Sequence, residues 1–301
     1  MSQTKLQIPQ AGFPTPIVGI LQRARPEEGT RGQPVVLIIH GVLAHKDQVY
    51  HKKLANRLAE ERGWDSFRYD LRGQGGESEG KWGMMNLDDD IVDLKVVIAY
   101  LEEEWGYRIH LIIAHSRGSM ITAYYLSCFP HPHIPLFVNL SGRYDMTRIL
   151  TDSRYSALRT EEEEYDKKAV VDWKVKVAGK ELSNRVTWEG LRSFAEWNND
   201  YLHHSFPQDI DVLTVHGTAD QIVPVQDAYT FHTILSRRSP GTHSLSIVEG
   251  ATHNYLKPFD EPVDSILKWL RRVDPPSSGV GAGGGGGGVA PSSKSPPKHK
   301  M

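Results

Sequence analysis

The sequence predicts an α/β fold, a mostly parallel central sheet flanked by helices. Three observations predict it. Val35 to Ile39 is a solid apolar, β-branched run, the pattern of a strand buried on both faces of a parallel sheet. Asp88 to Trp105 carries Ile91, Leu94, Val97, Ile98 and Leu101 on one helical face. From there, strand-like and helix-like segments alternate almost to Asp274, which calls for right-handed crossovers and helices on both sides of the sheet.

After the first of these strands, Val49 to Arg62 has helical spacing through Leu54 and Leu58 and stops at Gly63. Asp65 to Leu71 reads as a strand ending in a turn rich in glycine, with Gly73, Gly75 and Gly76. The long helix opens on Asp88, Asp89 and Asp90, where the positive end of the helix dipole favours carboxylates, and Gly106 ends it. Ile109 to Ala114 is another buried strand, Ser119 to Phe129 a helix and Leu136 to Leu140 a strand. Val212 to Val215 and Leu245 to Val248 are strands on either side of a helix at Asp227 to Leu235, and a helix at Val263 to Val273 closes the fold.

Two segments break the alternation. The stretch from about 143 to 208 is polar, charged and aromatic, with Trp173, Trp188 and Trp197, and is expected to form a small helical cap over the carboxyl edge of the sheet. Its run Glu161 to Glu164 reads as a solvated helix face. Residues 275–301 are rich in Gly, Pro, Ser and Lys, with unbroken glycine from Gly283 to Gly288. They bury too little apolar surface to order themselves, so a disordered tail is expected behind one domain spanning 1–274.

A chain of 301 residues with 39% hydrophobic positions can bury one sizeable core. Its formal net charge of -2 supplies no field that would gather nucleic acid or anionic membrane. No nucleic-acid and no membrane partner is therefore expected; a small-molecule ligand fits better. The single cysteine, Cys128, cannot form an internal disulfide and reads as a packed helix thiol. No apolar N-terminal run resembles a signal peptide, so the expected location is cytoplasmic. His45, His51 and His110 lack metal-ligand spacing, and no metal or other cofactor is expected.

The chemistry concentrates where a buried strand turns into a helix, at Ala114-His115-Ser116-Arg117-Gly118. This matches the nucleophile elbow G-x-S-x-G with alanine for the first glycine; small residues are needed because the turn is tight and holds the serine strained, with its hydroxyl exposed. The plain alternative is a serine that merely caps the following helix. Downstream, Asp220 follows the strand ending at Val215, and His253 follows the strand ending at Val248. Serine, acid and histidine in this order, each just past a strand, can converge on one edge of the sheet. Ser116 is thus the expected nucleophile, His253 the base and Asp220 its partner. Asp145, after the strand ending at Leu140, is the competing acid. His232 and His243 compete less well for the base, one lying within a helix and the other before its strand. His40-Gly41-Val42 follows the first strong strand, and the backbone amides of Val42 and Arg117 are the expected oxyanion donors. The side chains of His115 and Arg117 point away from so sharp an elbow and read as packing or surface groups.

On these motifs the sequence resembles the α/β-hydrolases grouped with serine aminopeptidase-like and cinnamoyl or feruloyl esterase-like proteins, from about Val35 to Trp269. The matching pieces are Ile39 to Gly41, Tyr69 to Gly75, His115 to Gly118, Asn139 to Asp145 and His216 to Asp220. The resemblance implies the α/β-hydrolase fold, Ser116 as nucleophile, Asp220 and His253 as its partners, and the Val42 and Arg117 amides as oxyanion donors. The expected function is a serine esterase acting on small or medium, including aromatic, acyl esters through an acyl-enzyme. An acyltransferase using the same residues and a non-catalytic binding protein on this fold are the alternatives.

Overall fold

The computed structural model describes residues 1–48, 50–84, 87–158, 169–256 and 260–275. The Glu161 to Glu164 run and the tail beyond Pro275 lie outside the described residues.

An eight-stranded sheet organises the molecule. Its first two strands, β1 (Ser2–Ile8) and β2 (Ile17–Arg23), form an antiparallel hairpin ahead of the first strand expected from the sequence. The expected strand is β3 (Pro34–Ile39); then come helix α1 (His51–Arg62), β4 (Asp65–Tyr69), α2 (Leu87–Glu103), β5 (Arg108–His115), α3 (Arg117–Cys128) and β6 (Leu136–Leu140). Two short 3-10 helices (Met146–Thr151 and Ser153–Leu158) lead to a hairpin of β7 (Val170–Val177) and β8 (Lys180–Thr187), then to α4 (Trp188–Ala195) and α5 (Tyr201–His204). The alternation resumes with β9 (Asp211–Gly217), α6 (Gln226–Leu235), β10 (His243–Val248) and α7 (Asp260–Val273).

The strand order is β1-β2-β4-β3-β5-β6-β9-β10, antiparallel through β1, β2 and β4 and parallel from β4 onward. Successive β3 residues serve opposite faces. Leu37 and Ile39 join the core beneath α2, α3 and α6, while Val36 and Ile38 join the core beneath α1 and α7. Double-sided burial is why β3 reads as an unbroken apolar run, and why β5 and β6 are apolar but for His110 and Asn139 within them. All parallel strands then end at the same edge, which is where β5 hands over to α3.

The segment between β6 and β9 contains helices, as expected, and also the β7–β8 hairpin, which the sequence reading did not anticipate. The hairpin turn uses Ala178 and Gly179, both at positive φ, as a tight two-residue connection requires. Its side chains Val177 and Leu182 sit against Gly75, where a Cβ would stand 2.4 Å from Leu182 Cδ1. Gly75 is also at φ +100, so glycine there answers both a backbone and a packing demand.

Candidate active site

Backbone bonds fix the junction of β5 and α3. The Ser116 amide donates to the Leu140 carbonyl (2.8 Å), and the Ser116 carbonyl accepts from the amides of Ser119 (2.9 Å) and Met120 (3.2 Å). These bonds hold Ser116 at φ 51, ψ -113, a conformation that costs an L-residue about 1–3 kcal/mol. Its side chain makes no capping bond to α3. Instead Ser116 Oγ lies 3.0 Å from His253 Nε2, and His253 Nδ1 lies 2.7 Å from Asp220 Oδ2.

Two glycines make the approach possible. A Cβ on Gly118 would stand 2.7 Å from the His40 carbonyl oxygen, and one on Gly41 would stand 3.1 Å from Ser116 Cβ. Ala114, by contrast, occupies regular strand, paired with Ile39 on one side and Asn139 on the other. No positive φ is needed there, so a methyl group costs the elbow nothing in backbone strain.

Asp220 is held from both of its oxygens. Oδ1 accepts from the amides of Ile222 and Val223, each at 2.8 Å, and Oδ2 faces both His253 and His216, the latter at 3.3 Å. His216 Nε2 also lies 2.8 Å from the Val223 carbonyl. A ring nitrogen that meets only acceptors carries the proton, so His216 donates. Burial opposes ionisation of Asp220, but the donors from His216, His253 and Val223 outweigh it and hold the carboxyl well below the usual range. An ionised Asp220 takes the Nδ1 proton of His253 as a hydrogen bond, which leaves Nε2 free to accept from Ser116.

The loop after β3 is braced with equal care. The Leu71 amide donates to His40 Nε2 (2.9 Å), so His40 Nδ1 carries the proton and donates to the Gly41 carbonyl (2.8 Å). In a trans peptide the N–H points opposite to the C=O, so the Val42 amide is turned away from His40. Burial lowers the pKa of His40 to about 4, which keeps it in this neutral form. Beyond it, the Leu43 amide donates to Gln74 Oε1 (2.8 Å), and the Lys46 amide and ammonium both donate to Asp70 (2.7 Å each). The Tyr69 to Gly75 motif therefore acts as scaffolding for the loop.

The remaining sequence candidates take other places. Asp145 caps a 3-10 helix, accepting from Thr147 and Arg148, and makes no contact with His253. His232 and His243 face each other, Nδ1 to Nδ1, at 2.9 Å between α6 and β10. Arg117 is buried rather than at the surface, bonded to Asp90 (2.6 Å) and the Met84 carbonyl (2.8 Å). His115 is buried too, its Nε2 2.9 Å from the His253 carbonyl. Burial, aided by its neighbour His253, lowers the pKa of His115 to about 3, so it adds no charge behind the dyad. Cys128 corrects the expectation of a packed thiol: it lies in the last turn of α3 and is exposed. The support given by His40 and His216 was missed, although each opens a His-Gly motif that the sequence displays.

Two pockets meet at the serine, sharing Ser116, Val42, Arg154, Trp173 and Ile222. One is walled by Arg117, Met120, Ile149, Tyr155 and Phe194; the other includes Gly41, Gln48, His115, His253 and Asn254.

Residues 30–260 match the family model described as serine aminopeptidase, S33. The chain belongs to that family. It is accordingly a hydrolase of the α/β-hydrolase fold. Similar to this S33 member is the Saccharomyces cerevisiae protein YDL057W, 28% identical over 239 residues that span 73% of this chain and 68% of the yeast protein. Among solved structures, the fold is similar to Est1E from Butyrivibrio proteoclasticus with ferulic acid bound, at 18% identity and TM-score 0.68, covering 88% of this chain and 97% of that one. It is also similar to the Pyrococcus furiosus esterase Pf2001, at 17% identity and TM-score 0.62, covering 90% and 92%. Among the described residues, no helix of this S33 protein is long and apolar enough to cross a membrane.

Proposed function

We propose that this S33-family hydrolase is a serine esterase in which Ser116 is the nucleophile, His253 the general base and Asp220 the residue that fixes the imidazole tautomer. The observation that carries the reading is the unbroken relay from Ser116 Oγ through His253 to Asp220, at 3.0 and 2.7 Å. Ser116 attacks the acyl carbonyl as His253 takes its proton, and the alcohol leaves with that proton. Water, activated by the same histidine, then releases the acid from the acyl-enzyme. The Val42 and Arg117 amides hold the oxyanion; the orientation of the Gly41–Val42 peptide and the position of Arg117 in the first turn of α3, where amides lack helical partners, support this. Arg117 and Val42 both line the pocket over Ser116.

The substrate is a small-molecule ester with a small or medium acyl group, aromatic ones included. Apolar walls and the structural likeness to a ferulic-acid-bound esterase support that size and character. The enzyme works in the cytoplasm as one domain through Asp274, with residues 143–208 forming the cap and 275–301 a tail outside the catalytic unit.

The test is labelling with a fluorophosphonate probe followed by peptide mapping. Ser116 is expected to carry the label, and Ser116→Ala is expected to lose both the label and para-nitrophenyl butyrate hydrolysis while keeping its circular dichroism spectrum. Folded protein that leaves Ser116 unlabelled, or a Ser116→Ala variant within a few-fold of the parent, would sink the reading.

A further inference from the structure

Besides Arg117, whose guanidinium is held by Asp90 and the Met84 carbonyl, two arginines line the apolar pocket beside Ser116. Arg143 follows β6 and Arg154 sits on the second 3-10 helix, and both line the pocket that holds Met120 and Phe194. His253 lines the other pocket and not this one. Arg154 lines both pockets, whereas Arg143 lines only this one. The histidine of such a relay returns its proton to the leaving alcohol, so the alcohol belongs on the His253 side and the acyl group on the side of Arg143. Arg154 is exposed at the rim, but Arg143 is buried. A pocket built only for neutral acyl chains gains nothing from a buried cation, which is costly to remove from water unless compensated.

Arg154 has its compensation, with Nε 3.0 Å from each oxygen of Asp152. Arg143 does not. It is 6% exposed, it donates from Nη2 to the Ile222 carbonyl, and among the described residues no carboxylate makes an ion pair with it. Asp227, the carboxylate that acts on it most strongly, uses Oδ2 to accept from the Tyr144 amide at 2.9 Å. Burial lowers the pKa of Arg143 against the opposing pull of Asp227, Asp152 and Asp220, none of which forms an ion pair with it.

We propose that Arg143, with Arg154 beside it, recognises an anionic group on the acyl portion, so that the preferred substrate is an ester whose acyl chain ends in a carboxylate. This rests on the serine esterase reading. The apolar walls take the body of the acyl chain, and the guanidinium supplies the planar donors that a carboxylate accepts. Ester plus water gives the alcohol and a dicarboxylate; the distal carboxylate takes no part in the bond changes.

Steady-state kinetics with the para-nitrophenyl monoester of adipic acid and with para-nitrophenyl heptanoate test the proposal. The wild-type protein is expected to favour the adipate ester in kcat/KM by about 10- to 100-fold, the worth of a charge-assisted hydrogen bond in a shielded site. Arg143→Gln is expected to bring that ratio to about one or below, and Arg143→Lys to leave part of it. A second measurement needs no variant: free adipate is expected to shield Ser116 from the fluorophosphonate at concentrations where adipamide does not. A wild-type ratio near one, a ratio that Arg143→Gln leaves intact, or equal protection by adipate and adipamide would overturn the proposal. If Ser116 takes the label and heptanoate turns over without any preference for the anion, this inference alone fails. If Ser116 stays unlabelled and neither ester turns over, the esterase reading falls with it.

Discussion

Asp220 accepts only N–H donors, from Ile222, Val223, His216 and His253, and an amide in its place would have to present an NH2 group to some of them. Asp220→Asn is therefore expected to favour the wrong His253 tautomer and to lower kcat by about 10⁴-fold. Asp145→Asn, which disturbs the cap of a 3-10 helix and the surface ion pair with Arg148, is expected to leave kcat within about 3-fold, since surface substitutions of this kind shift stability by only about 0.5 kcal/mol. Parallel kinetics on the two variants decide between the carboxylates; the reverse ranking would move the acid to Asp145. His40 provides a subtler case. Replacing it by Ala frees the Gly41 carbonyl and with it the alignment of the Val42 amide, so kcat is expected to fall about 10²-fold, with a matching loss of affinity for a boronic acid transition-state mimic and little change in KM. Unchanged boronic acid affinity would remove His40 from this role. Ser116, Asp220 and His253 were legible in the sequence because each follows a strand end, a position that pattern alone reveals. The tasks of His40 and His216 depend on which ring nitrogen meets an acceptor, and no spacing in the chain encodes that.

At the scale of elements, strands were legible in proportion to their burial. β3, β5, β6 and β9 are apolar on both faces and stand out, whereas β1, with its exposed Gln3, Thr4 and Lys5, and β8, with Lys180, Glu181 and Asn184, lack a continuous apolar run. β7 does alternate, Val171, Trp173, Val175 and Val177 turning inward, but its period of two is short and lies within a polar surrounding that suggested helices. Gly19 in β2 has its own explanation, since a Cβ there would enter the Phe67 ring at 2.2 Å. The β7–β8 hairpin contributes Trp173 and Val175 to the pockets, so its seat on Gly75 bears on substrate binding. Gly75→Ala forces a methyl group against Leu182 at a positive φ. The expected result is a loss of about 1–3 kcal/mol, read as a Tm lower by roughly 3–10 °C, together with a raised KM as the hairpin shifts. A variant with parental Tm and KM would mean that the hairpin is not fixed by this contact.

Across the whole molecule, several histidines are buried without charge. His40 and His115 resist protonation down to about 4 and about 3, and burial likewise holds His51 well below its ordinary range. In the unfolded chain each takes up its proton near 6.5. Protons thus bind preferentially to the unfolded state in the interval between, so this stability is whole above about pH 6.5 and declines as pH falls, by up to about 1.4 kcal/mol per pH unit for each group. Urea unfolding is expected to show a lower midpoint at about pH 5 than at about pH 7, with His51→Gln, which removes one of the three and lies outside the relay, showing a shallower decline. Identical pH slopes for parent and variant would argue against a neutral His51. The position of Cys128 has a practical use. It is the chain's single thiol, one helical turn beyond Tyr124, whose ring meets Trp197 of the inserted segment at 4.8 Å and Tyr201 at 5.1 Å. A bimane dye attached there would sit near an indole that quenches it, so its brightness would follow, in solution and in real time, whether the inserted segment stays seated on the helix that follows Ser116.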